Sequence, residues 1–190
     1  MAIKRYSRQG LLTLFLVCAF LPHAWTLILA FKDFSLLMGR IGGIWGAIGE
    51  MSYGLVFSFL DTLLIFIVTA LLGFLVSVRW QETRRISLLG LLAGIAMLWE
   101  IIAQSYVVWS LHLPGRLTQF LAQFYLPFGF YYAAALLVVV ATTLIPALLI
   151  LRNEKFYKAF QAFSERVTLL SGFYLFLDAV ALVVVIVRNV

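Results

Sequence analysis

One cysteine, two histidines and a charged fraction of only 12% leave this 190-residue chain short of the side chains that most chemistries need. Cys18 alone cannot close an internal disulfide, ligate zinc through cysteine pairs or hold an iron–sulfur cluster, so dithiol oxidoreductases and those metal proteins are excluded. His23 and His112 are too few for a haem or a histidine-rich metal centre. HExxH, GxSxG, a Walker loop and the Rossmann glycine pattern are all missing. The chain is therefore read as a non-enzyme, with no catalytic residue, metal or cofactor expected. The shortage of charge has a second consequence. A soluble domain carries roughly a quarter charged residues, and 14 Lys+Arg with 8 Asp+Glu cannot cover a core of this size.

What is present is apolar. Hydrophobic residues make up 64% of the chain and the mean hydropathy is +1.07, the composition of an integral membrane protein. The net charge of +6 then reads as loop arginines facing an anionic leaflet rather than as a nucleic-acid surface.

A helix needs about 20 mostly apolar residues to cross the hydrocarbon layer. Five stretches qualify: 11–31, 53–78, 86–109, 128–151 and 167–187. Charges, prolines or aromatics bound them, with Tyr53, Trp80, Trp109 and Tyr125 at positions suited to interfacial aromatics. The expected fold is an all-α integral membrane protein, a bundle of five transmembrane helices with short interfacial helices in the outer loops. It forms a single polytopic membrane domain over 1–190.

Lys4, Arg5, Arg8, Arg79, Arg84, Arg85, Arg152, Lys155, Lys158 and Arg166 fall on one side of such a bundle. Only Lys32, Arg40, Arg116 and Arg188 fall on the other. The positive-inside rule places the N-terminus in the cytoplasm and the C-terminus outside, in the plasma (inner) membrane. The basic start followed by an apolar run resembles a signal peptide. Apolar character continuing to Phe31 favours an uncleaved first span, and Val17 before Cys18 does not fit a lipoprotein box.

The loops carry information as well. Gly39, Gly42, Gly43, Gly46 and Gly49 crowd the first outer loop, and Gly39/Gly43 and Gly42/Gly46 have the spacing of close helix approach. With Trp45 and its apolar neighbours, this loop is expected to form a short interfacial helix or a re-entrant turn. After His112-Leu113-Pro114-Gly115, residues Leu117, Phe120, Leu121 and Phe124 recur at helical spacing and predict an amphipathic segment. Residues 153–166 predict a surface helix running directly into the fifth span. Gly90 and Gly94 form a GxxxG helix-packing motif, and Pro146 is expected to kink the fourth span.

Ionisable groups at mid-span cost about 2.5–3.5 kcal/mol and need a reason. The candidates for a buried polar or ion site are His23, Asp61, Glu100, Gln104 and Asp178. At ~1.5 Å per residue the four ionisable ones fall roughly 12–14 Å below the outer boundary, which suggests one layer. Small or hydroxylated neighbours flank each acid, so the faces are expected to turn inward around a shared polar centre. The plainer reading is that these groups hold helices together, and that His23 beside Pro22 merely packs. No Lys or Arg stands within the spans as a counter-ion. Phe59-Leu60-Asp61 and Phe176-Leu177-Asp178 repeat a tripeptide, and two facing aspartates could share a proton, but the glycine context of an intramembrane aspartyl protease is missing.

Two functions follow. The first is a non-catalytic subunit or scaffold of a membrane assembly, with the bilayer and other membrane subunits, or a homo-oligomer, as partners. The alternative is a proton- or cation-coupled transporter or channel-like protein using its buried carboxylates.

Overall fold

The structure is a computed structural model, and it describes residues 6–40, 43–77, 80–110, 114–123 and 127–190. Seven helices account for nearly all of them: α1 (Arg8–Lys32), α2 (Phe34–Arg40), α3 (Ile44–Leu72), α4 (Glu82–Val108), α5 (Gly115–Leu121), α6 (Pro127–Arg152) and α7 (Glu154–Asn189). Among the described residues there is no strand. The helices α1, α3, α4, α6 and α7 are long and apolar enough to cross a membrane. Gly42, Val78, Arg79, His112, Leu113, Phe124, Tyr125 and the basic residues Lys4 and Arg5 lie outside the described residues.

Local chemistry explains the helix ends. Ser7 caps α1 by accepting from the Gly10 N–H at 2.9 Å, and Lys32 in the last turn faces the negative end of the helix dipole. The Asn153 side chain caps α7 by accepting from Lys155 and Phe156 N–H. Gly43, with φ of 85°, makes the left-handed step between α2 and α3 that other residues resist.

The second long helix departs from its expected bounds. It begins at Ile44 rather than Tyr53 and ends at Leu72, before 78. The glycines of the supposed re-entrant loop are its first turns. Gly46 and Gly49 are buried, and the Arg188 guanidinium occupies the space where a Gly49 side chain would begin. Arg188 Nη1 also donates to the Gly46 carbonyl at 3.4 Å. Close packing against the end of α7 thus recruits this segment into the span, and Trp45 belongs to α3 itself. The predicted short helices appear as α2 and α5. The surface helix expected over 153–166 is continuous with the fifth span as α7, 36 residues long.

α1 is the hub of the bundle, packed against α3, α4 and α7, while α6 lies at the edge against α4 and α7. Leu14 and Cys18 of α1 meet Ile86, Leu89, Ala93 and Met97 of α4 in the apolar core. Gly90 permits this approach, since an added Cβ would lie 3.2 Å from Val17 Cγ1. Nothing lies within 4 Å of a Cβ added at Gly39, Gly43 or Gly94, so the close contacts expected at those glycines are not made among the described residues. Pairing along α7 follows a seven-residue rhythm. Tyr157, Ser164, Ser171 and Asp178 are buried, interleaved with buried Val167 and Ala181, the narrow seam of a coiled-coil-like contact.

Contacts also fix which ends coincide. At the near end the Ser7 N–H donates to Glu82 Oε1, Tyr6 Oη donates to the Ala70 carbonyl at 3.2 Å, and Arg84 pairs with Glu154 at 2.6 Å. At the far end Asn189 Nδ2 donates to Tyr53 Oη at 2.6 Å, and the Lys32 ammonium lies 5.3 Å from the Trp109 ring. The first and last described residues stand at opposite ends of the bundle.

Candidate functional site

His23 and Asp178 form the one buried His–carboxyl pair among the described residues. The imidazole has no solvent exposure, and Asp178 has 8%. His23 Nδ1 lies 2.7 Å from the Ala19 carbonyl, and Nε2 lies 3.0 and 2.8 Å from the two Asp178 carboxyl oxygens. The Tyr174 ring stacks on the imidazole, 5.7 Å between centroids and 10° between planes, and Phe20 stacks on Tyr174 in turn. Position explains the meeting. Asp178 falls on the buried seam of α7, and His23 shares the inward face of α1 with Cys18 and Ala19. Pro22 stands inside α1 without ending the helix.

Asp61 and Glu100 do not join this pair. Both are exposed, and both line a lateral hollow of about 140 Å³ with Pro22, Trp25, Thr26, Ser58 and Gln104. The shared polar centre expected of the four ionisable residues is therefore divided. His23 and Asp178 are sealed between α1 and α7, whereas Asp61 and Glu100 stand on the α3 and α4 sides of an open groove floored by α1. Packing explains the division. α3 uses Ser58, Thr62 and Thr69 as its buried face, which leaves Asp61, next to Thr62, outside. α3 also touches α4 far less than it touches α1 and α7, so Glu100 faces a gap. Two carboxylates facing each other across FLD tripeptides do not occur, because one is buried and the other exposed.

A polar chain crosses the groove floor. Trp25 Nε1 donates to Gln104 Oε1 at 2.6 Å, and Gln104 Nε2 donates to Glu100 Oε1 at 3.2 Å. Thr26 and Ser58 share a hydroxyl–hydroxyl bond, and Ser58 also donates to the Gly54 carbonyl at 3.0 Å. Beside Asp61 a second hollow of about 360 Å³ takes in Asp33 and Glu50. Half of the chain's 8 acids thus flank one seam. No group of three His, Cys, Asp or Glu side chains among the described residues could hold a metal ion.

A third cavity, of about 350 Å³, lies at the near end between α1, α4 and α7. Sequence reading gave no hint of it. Its polar residues come from three helices, and each helix read alone shows only an ordinary polar end. The His23–Asp178 pair was also missed, although the spacing of Ser164, Ser171 and Asp178 was a usable signal for the buried face of α7.

No protein-family model matches this chain, and neither a curated protein nor a solved structure proves similar to it.

Proposed function

We propose that this chain is a non-catalytic subunit of a membrane assembly, and that its α3–α4 groove receives a transmembrane helix of a different chain bearing a Lys or Arg. The observation that carries this reading is the sideways opening of Asp61 and Glu100 at mid-helix level. A carboxylate left against lipid costs about 2.5–3.5 kcal/mol, and among the described residues only His23 is placed within the bundle to neutralise one. It is already taken by Asp178. Across the spans the sequence places Lys and Arg near helix ends alone, so a second copy of this chain could not supply the cation either. A helix with one basic side chain could, and the small residues near the floor, Gly54 and Ser58, would let it approach. The reading includes the plasma membrane as location, the N-terminus in the cytoplasm, and no catalysis of its own.

A photo-crosslinking amino acid at Ile65 or Ile101, both lining the groove, tests this in native membranes. The expected product is an adduct with one partner whose span contains a basic residue, lost when D61N and E100Q are combined. The same probe at Leu137 on exposed α6 should give no such product. Adducts with this chain alone, or with lipid only, would refute the proposal.

A further inference from the structure

The buried His23–Asp178 pair allows a second conclusion, independent of the groove. A backbone carbonyl can only accept, so His23 Nδ1, 2.7 Å from the Ala19 oxygen, carries its hydrogen. Nε2 then faces two carboxyl oxygens at 3.0 and 2.8 Å. Without a proton in that gap, a ring lone pair would meet a carboxylate. The gap thus has room and partners for one proton, written on nitrogen or on oxygen, which would make the pair neutral as a unit.

Polar groups also lead from the near end of the bundle towards this pair. The near-end cavity of about 350 Å³ is lined by Gln9 and Thr13 from α1, Thr83 and Ser87 from α4, and Gln161 and Thr168 from α7. About one turn beyond Thr168, Ser171 is fully buried and its hydroxyl has no hydrogen-bond partner among the described residues. Two turns further along the same seam stands Asp178. A hydroxyl that can both donate and accept, set between a polar cavity and a protonated pair, is the element a proton relay needs.

We propose that the His23–Asp178 pair is a proton-binding site within the bundle, reached from its Ser7–Glu82 end through this cavity and Ser171. Uptake breaks one O–H bond of a hydronium ion and forms one N–H or O–H bond in the gap. The pair passes from a single negative charge to neutral, and release reverses the step.

The surroundings leave the pair as the acceptor. On α1 the nearest titratable group is the buried thiol of Cys18, and on α7 it is Tyr174, stacked on the imidazole. α3, which packs on both helices, buries only hydroxyls at this level, Ser58 and Thr62, and leaves Asp61 in the groove. α4 places Glu100 in that groove too, while Glu82 and Glu165 line the cavity. α1 carries no Lys or Arg between Arg8 and Lys32, nor does α7 between Arg166 and Arg188.

The test uses the full chain carrying H112Q, which leaves His23 as its one histidine, labelled with ¹⁵N-histidine in lipid nanodiscs. Magnetic resonance of the ring nitrogens is followed from about pH 5 to about pH 9, the range in which histidine sites commonly exchange protons. Nδ1 is expected to stay protonated while Nε2 changes between its protonated and unprotonated signatures. In D178N the amide donates to Nε2, and the change is lost. In S171V the end states remain but exchange with bulk water slows; T168V, at the top of the cavity, repeats this measurement should S171V fail to fold. An Nε2 signal constant across the range in the folded protein would overturn the site. Unaltered exchange in the folded valine variant would overturn the route.

Discussion

Replacing His23 by leucine should do more harm than replacing Asp178, and replacing both should do less harm than either. In H23L the Asp178 carboxyl, 8% exposed, keeps its depth and loses its partner. A mid-span aspartate costs about 2.5–3.5 kcal/mol on insertion scales, so a loss near 3 kcal/mol, roughly a hundredfold in the folding equilibrium, is expected. D178L is milder. The neutral imidazole still donates from Nδ1 to the Ala19 carbonyl, and only Nε2 is left unsatisfied, a penalty of about 1–2 kcal/mol. The double variant removes both polar groups and fills the space with leucine, which for buried pairs is often nearly neutral, within about 1 kcal/mol of the parent. The two single losses together thus exceed the double loss by roughly 3–5 kcal/mol, at or above the upper end of couplings between groups in direct contact. Reversible SDS titration in mixed micelles, followed by tryptophan fluorescence, measures all four proteins. Additive losses, with the double variant equal to the sum of the singles, would mean that the two side chains are not paired and would refute the reasoning.

The two glycines of the GxxxG motif should separate. G90L forces a side chain against Val17, already 3.2 Å from an ideal Cβ, and should cost about 1–3 kcal/mol in the same titration, whereas G94L, with nothing within 4 Å, should be close to neutral. Cys18, fully buried in the α1–α4 core, should resist a membrane-permeant maleimide in the bilayer and react after SDS denaturation; rapid labelling of the folded protein would contradict the core. Tags on the two tails should report opposite sides of the membrane, with the N-terminus inside, following the excess of Lys and Arg on that side. Both tails on one side would exclude five passes.

The five long apolar helices were legible because length and hydropathy act within a single segment. Their bounds were less so. The start of α3 at Ile44 depends on Arg188, which lies far away in sequence and packs over Gly49. A glycine-rich stretch read alone suggests a turn; the same stretch covered by another helix forms a close-packed first turn. The ionisable residues could be found individually, since any such group in a span stands out. Their pairing could not, because depth fixes the level of a residue but not the direction it faces. Asp61 and Asp178 share a tripeptide, and still one opens onto the groove while the other is sealed. The rotational setting of each helix decides that. For α7 it was written in the seven-residue recurrence of Tyr157, Ser164, Ser171 and Asp178; for α4, Ala93 is buried and Glu100, seven residues on, is exposed, because the buried face runs on through Met97 and Ser105 instead.

The sparse contact between α3 and α4 accords with the lack of Lys and Arg in the middle of the long helices. Closing α3 onto α4 at the level of Asp61 and Glu100 would press two carboxyls together with no Lys or Arg at that depth. Like charges at close range in a low dielectric repel strongly unless a proton or a cation intervenes. For Asp178 the solution is internal, because α1 brings His23 to it and three helices can then pack tightly around a neutral unit. For Asp61 and Glu100 none stands among the described residues, and Gln104 and Trp25 satisfy only part of the exposed polar edge. Under the proposed function, closure comes from outside, as a partner helix carrying the missing charge. A variant that supplies the cation from within should therefore compete with the partner. I65K, lining the same hollow, is expected to pair with one of the two acids and abolish the groove cross-link from Ile101. I65L keeps the size and adds no charge, and it should leave that cross-link in place. If lysine and leucine behave alike, the groove does not recognise its occupant by charge.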